Sequence, residues 1–225
     1  MHPLNLGDRR QTERCIYCGK ANETREHIPS RVFLDTPYPE DLPTVGACYV
    51  CNQGHSLDEE YVACLIECAK VGSVNVNSIK REKIKSILSK KPSLKALLKE
   101  ARTTIDGVSG FNIEIERIER ILLKLAQGHI LFEQNEPQRE HPVAFAFGTL
   151  DGLTQPQRQQ FEESPPMRLS PEVGSRAMSR GIIFGESSCS QWIEIQPNHY
   201  RYLTPWVGAV RIVLSEYVWC EVVWE

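Results

Sequence analysis

"CIYCGKANETREHIPSRVF" (residues 15–33) and "CYVCN" (residues 48–52) each carry a Cys-x-x-Cys knuckle, and 29 residues separate the two pairs. Two-residue spacing lets both sulfurs of one knuckle reach a single ion, and zinc favours four thiolates in a tetrahedron. Cys15, Cys18, Cys48 and Cys51 are therefore expected to form one four-cysteine zinc site. The alternative is a set of free buried thiols, because the connecting loop is longer than the roughly 15 to 20 residues of the simplest ribbon pattern.

The other cysteines, Cys64, Cys68, Cys189 and Cys220, are scattered. Cys64 and Cys68 lie four apart on a predicted helix, which is the spacing of two core-facing thiols rather than of a second metal site. In a reducing compartment, paired knuckles read as metal ligands, not as disulfides.

The chain of 225 residues is 41% hydrophobic and 24% charged, a composition typical of globular proteins. Its net charge of −3 excludes a protein that is basic throughout, while leaving room for a local basic surface. The opening "MHPLNLGDRRQTER" has no apolar core of signal-peptide length, and no run of about 18 apolar residues is present. A cytoplasmic location without membrane contact is the expectation.

Along the chain the pattern predicts an α+β fold in three parts. Residues 1–72 should form a zinc-stabilised unit in which knuckle, short hairpin, Pro- and Asp-rich loop and second knuckle lead into a helix. That helix is predicted from Leu57 to about Lys70, with Ser56 as its cap and Asp58, Glu59 and Glu60 in its first turn, where the helix dipole favours negative charge. Residues 73–141 should be helical, with 71–79 as a linker.

Between Lys80 and Arg102 nine Lys or Arg stand against Glu82 and Glu100, a local excess of seven, on two short helices broken at Pro92. This run reads either as a phosphate-contacting face, with Lys80, Arg81, Lys83, Lys90 and Lys91 as contacts, or as a solvated helical surface. Ile115, Ile118, Ile121, Leu122 and Leu125 recur at helical spacing and predict a packing helix, with His129 near its end as a structural residue. From 142 to 225, short runs rich in β-branched and aromatic residues predict an antiparallel sheet. Those runs are "PVAFAFG", "GIIFG", "QWIEIQ", "YRYLT", "VGAVRIVLS" and "YVWCEVVWE". The Pro-rich stretch 151–176 reads as a loop or flap, and Trp192, Tyr200, Tyr202 and Trp206 read as core rather than base-stacking residues.

The acidic residue, His and proline of "EHIPSR" (26–31), followed by "CYVCN" and bracketed by the first knuckle, resemble the HNH endonuclease family over about residues 13–65. The resemblance implies a ββα-metal unit with a structural zinc and a separate catalytic Mg2+ or Mn2+. It implies His27 as general base, and Glu26 and Asn52 as ligands of the catalytic ion, for hydrolysis of DNA phosphodiesters. An imidazole suits the base because its pKa is near neutral, and a divalent cation neutralises charge on the leaving oxygen. Adjacent residues of a strand point to opposite sides, which would separate the carboxylate of Glu26 from the imidazole of His27.

Arg31 and His55 are candidate phosphate contacts. Many family members place an Asn between the motif halves to orient the histidine; "DTPYPEDLPTVGA" has none, so a backbone carbonyl, Asp41 or Thr44 is left for that task. Two other readings stay open. RNA is the alternative substrate, or the chain is the nuclease subunit of a bacterial phage-defence system with an ATPase partner. A non-catalytic zinc module binding nucleic acid or a protein partner is the reading from a different class.

Overall fold

In the computed structural model, residues 13–105, 107–164, 174–179 and 191–224 are described. The expected strand "GIIFG" and Cys189 lie outside them. The chain divides into two units, Met1–Gly54 with Leu122–Glu225, and His55–Ile121. This differs from the boundaries at 72 and 141 drawn from composition. The N-terminal hairpin shares a core cluster with Leu131, near the end of a helix more than 70 residues away in sequence.

In the first unit, β1 (Thr24–His27) and β2 (Thr44–Ala47) pair antiparallel, with Glu26 opposite Val45 and His27 opposite Thr44. The helix α1 (Tyr49–Gly54) follows directly, and the Glu23 carboxylate accepts the Tyr49 N–H at 3.0 Å, which places negative charge at the helix N-terminus. Strands β5 (Ala144–Thr149), β6 (Ile193–Gln196), β7 (Tyr200–Leu203), β8 (Ala209–Leu214) and β9 (Val218–Val223) form an antiparallel sheet in the order β5-β9-β8-β7-β6. The β-rich C-terminal region is thus present as expected, and every residue of central β8 is buried.

The sheet is covered on both faces. Tyr200 and Tyr202, paired in register with Leu214 and Ile212, meet the end of α5 (Ile115–Gln134). There His129 lies 2.8 Å from the Tyr200 hydroxyl and stacks on the Tyr202 ring at 3.7 Å between centroids, and Tyr202 donates to Glu133 at 2.5 Å. On the opposite face, Phe161 of α6 (Gln155–Glu162) packs with Leu150, Val213, Trp192 and Trp219. Helix α6 sits in the stretch expected to be a loop, and Gln157 accepts the Thr154 N–H at its start.

His129 is fully buried, and that burial lowers its pKa from 6.5 to about 3. The folded chain therefore stays uncharged there while an unfolded chain takes up a proton below pH 6.5. Stability should be complete above 6.5 and fall by about 1.4 kcal/mol per pH unit on acidification toward 3. The variant His129→Gln, which keeps a partner for Tyr200 and cannot titrate, should lose that contribution. Urea unfolding at pH 7.0 and 5.5 measures both slopes, and parallel pH dependence of the two proteins would exclude His129 as the source.

The hairpin rests on the same half of α5. Ile16, Ile28, Val45 and Leu131 form one buried cluster. Gly128 lets the helix approach so closely that a Cβ there would sit 2.5 Å from Cδ1 and 2.6 Å from Cγ1 of Ile28, itself fully buried. Gly128→Ala should therefore lower the melting temperature, because overpacking costs about 1–3 kcal/mol against at most about 1 kcal/mol gained in helix propensity. Gly54→Ala, which meets nothing within 4 Å, is the control and should not lower it in thermal denaturation.

The second unit carries α2 (Ser56–Val71), α3 (Glu82–Lys90), α4 (Pro92–Ala101) and a hairpin of β3 (Arg102–Ile105) with β4 (Val108–Phe111). The predicted helix 57–70 is present, but Ser56 is its first residue and His55, with helical φ and ψ, holds the cap position. The break at Pro92 is where the sequence places it. Asp58 is ion-paired with Arg117 at 2.6 Å and with Arg120, and the Tyr61 hydroxyl accepts the Glu114 N–H at 3.0 Å. Cys64 and Cys68 face the core, and burial pushes both thiols up to about 12. Ile115, expected to pack, is exposed. Among the described residues no helix is long and apolar enough to cross a membrane.

Candidate functional site

The first knuckle is a tight turn in which Cys15 donates its N–H to Lys20 O at 2.7 Å and accepts from Gly19 N at 2.9 Å. Gly19 closes it with φ of +74°, a conformation that favours glycine. Ile16 N–H reaches Gly46 O at 3.2 Å, which joins the knuckle to β2. At the second knuckle the Cys51 N–H points at Cys48 Sγ from 3.4 Å. The outcome is convergence of Cys15, Cys18, Cys48 and Cys51, all of whose sulfurs lie within 4.8 Å of one another.

The Sγ atoms of Cys18 and Cys48 are 3.7 Å apart. A tetrahedron with metal–sulfur bonds of about 2.3 Å has edges of about 3.8 Å, so the sulfurs are spaced to hold a metal ion such as zinc. Cys15 carries a pKa lowered to about 7: burial opposes ionisation, and hydrogen bonds from the knuckle backbone outweigh it. Among the described residues this is the one group of three or more His, Cys, Asp and Glu ligand atoms so close together.

Beside it, β1 sends Glu26 and His27 to opposite sides as predicted. Glu26 is buried and His27 half-buried. Burial, and then the nearby Arg31 charge, lower the His27 pKa below 6.5, so the ring is neutral at pH 7. His27 Nδ1 is buried and has no hydrogen-bond partner among the described residues. Neither Asp41 nor Thr44 is hydrogen-bonded to His27 Nδ1; the Thr44 hydroxyl accepts instead from Arg25 at 3.2 Å.

The residues expected to hold a catalytic ion are otherwise engaged. Lys124 Nζ of α5 lies 2.9 Å from Glu26 Oε1. The Asn52 amide donates to the Thr24 hydroxyl at 2.9 Å, and that hydroxyl donates on to Ala47 O. The pair as placed does not make the oxygen cage that the resemblance implies for Mg2+ or Mn2+. Lys124 escaped sequence reasoning because a lysine in an amphipathic helix reads as solvent-facing.

Of the expected phosphate contacts, Arg31 is exposed with its guanidinium 5.2 Å over the Tyr38 ring, and His55 is half-buried. In the second unit Lys80 and Lys90 are exposed and Lys83 half-exposed. Lys91 is ion-paired with Glu60. Arg81 corrects the expectation: it is 6% exposed, beside Glu67 at 3.9 Å, and a buried, paired guanidinium does not meet a phosphate.

Compared with family models, with curated proteins and with solved structures, the chain matches none.

Proposed function

We propose that the chain is an endonuclease of the HNH type, hydrolysing phosphodiester bonds of DNA with His27 as general base. The observation that supports this reading is the His27 ring. It is neutral at pH 7 and half-open to solvent, at the end of a strand of a ββα hairpin braced by the four-cysteine site, which we read as zinc. A neutral imidazole so placed can take the proton of an attacking water. Arg31, exposed within four residues of it, supplies positive charge for a phosphate.

Glu26 and Asn52, held by Lys124 and Thr24, do not serve as ion ligands in this reading. A second reading, a non-catalytic zinc module that binds nucleic acid or a protein partner, is favoured by the same engagement of Glu26.

Nicking of supercoiled plasmid, single-stranded DNA and RNA by the zinc-loaded chain, in Mg2+, Mn2+ or EDTA, decides between the two. Cutting of plasmid is expected, and preferential cutting of RNA would change the substrate. Absence of cutting on every substrate, with zinc bound, would overturn the nuclease reading for the isolated chain. Recovery of cutting on addition of a defence-system ATPase would then point to a nuclease subunit.

A further inference from the structure

Lys124 is an ammonium at 1% side-chain exposure, inside the first unit and 98 residues from its partner. Such a charge is tolerated in a protein interior only when paired and hydrogen-bonded. Both conditions are met: Nζ lies 2.9 Å from Glu26 Oε1 and 3.1 Å from Ser30 Oγ, and Ser30 Oγ is 3.4 Å from the same carboxylate oxygen. Ser30 is itself 5% exposed. The three side chains close a triangle that fastens β1 and the turn after it to α5, beside the Ile28–Gly128 contact.

We infer that the ammonium of Lys124 is the cation around which Glu26 is built, so that Glu26 is a positioning residue for His27 and not a ligand of a divalent ion. The inference rests on the nuclease reading for its consequence in turnover, but not for the pairing itself. Two observations carry it. A dication bound at Glu26 would share one carboxylate with an ammonium, and like charges at that separation repel strongly where water is excluded. Magnesium also keeps several of its waters in an octahedral shell, whereas Glu26 is 6% exposed and its Oε1 already faces an ammonium. Instead, fixing one side of β1 fixes the direction in which the next residue, His27, leaves the strand.

The test uses the zinc-loaded full chain and three variants: Glu26→Gln, Lys124→Met and the exchanged double variant E26K/K124E. Mn2+ titration followed by electron paramagnetic resonance, without nucleic acid, should give superimposable curves for wild type and Glu26→Gln, whatever their affinity. Lys124→Met should lower the melting temperature by roughly 10 °C. In nicking, Glu26→Gln should reduce kcat while the half-saturating Mn2+ concentration stays within twofold, and the exchanged pair should recover part of kcat.

A tenfold or greater weakening of Mn2+ binding in Glu26→Gln would overturn the inference. If the wild type cuts nothing, the nuclease reading fails, and the Mn2+ and melting data still decide the role of Glu26. If the exchanged variant does not fold, Glu26→Gln alone gives the same decision.

Discussion

Cys48→Ser should reduce bound zinc from one ion per chain to none and melt residues 13–54 while leaving the C-terminal sheet folded. The hairpin strands are four residues each, and a two-stranded ribbon of that length is at best marginal in water. The apolar cluster around the knuckles is small: Cys15, Ala47 and Cys48, flanked by Tyr17 and Cys51. A structural zinc contributes about 10–16 kcal/mol, comparable with the whole stability of a domain. The sheet has separate support, with α5 on one face and the Phe161 cluster on the other.

Hydrogen exchange by mass spectrometry should therefore show protection lost in 13–54 and retained in β7, β8 and β9, with zinc read by metal analysis. Cys64→Ser is the control, because the Cys64 thiol is buried on α2 outside the four-sulfur group and its loss should leave zinc at one per chain. A Cys48→Ser protein with full zinc and unchanged melting would remove the structural site. Chelation of the wild type should reproduce the pattern of the variant.

The parts of this molecule that were legible in the sequence are those fixed by local spacing. Two residues between cysteines bring together the sulfurs of each knuckle, a short-range constraint, while pairing of β1 with β2 and the Ile16–Gly46 hydrogen bond bring the two knuckles to each other. The acidic first turn marked α2, Pro92 marked the break between α3 and α4, and the 3.6-residue recurrence marked α5. Richness in β-branched and aromatic residues marked "YRYLT" and "VGAVRIVLS" as strands, and Tyr200 and Tyr202 are in the core as expected.

What was hidden depends on partners distant in sequence. Nothing near Glu26 announces Lys124, and nothing near Arg81 says that Glu67 will draw it inward. Both cations look like surface residues until the helices are packed. The interleaved unit boundary is of the same kind, because residues 13–54 find their core on α5. Helix α6 was different: Thr154 with Gln157 three residues on is a helix-start signal, and the prolines around it obscured it.

His27→Ala should leave zinc content and melting unchanged and lower kcat/KM for plasmid nicking by about 10²–10⁴, the usual contribution of a general base. The ring is half-exposed with an unpartnered Nδ1, so truncation removes no hydrogen bond that the fold relies on. The pH profile separates a base from a merely spatial role. Because burial and Arg31 hold the imidazole below 6.5, the folded chain keeps the neutral form down to a lower pH than a free histidine. The acid limb of kcat/KM should accordingly bend below pH 6.5. Arg31→Ala removes the second of those causes and should move the bend upward toward 6.5, while burial keeps it from reaching that value. A variant without His27 has no such group, so its residual rate should lose that limb. Retention of a tenth or more of the activity in His27→Ala, or a limb unmoved by Arg31→Ala, would assign the proton transfer to another residue and leave His27 as a neighbour of the site.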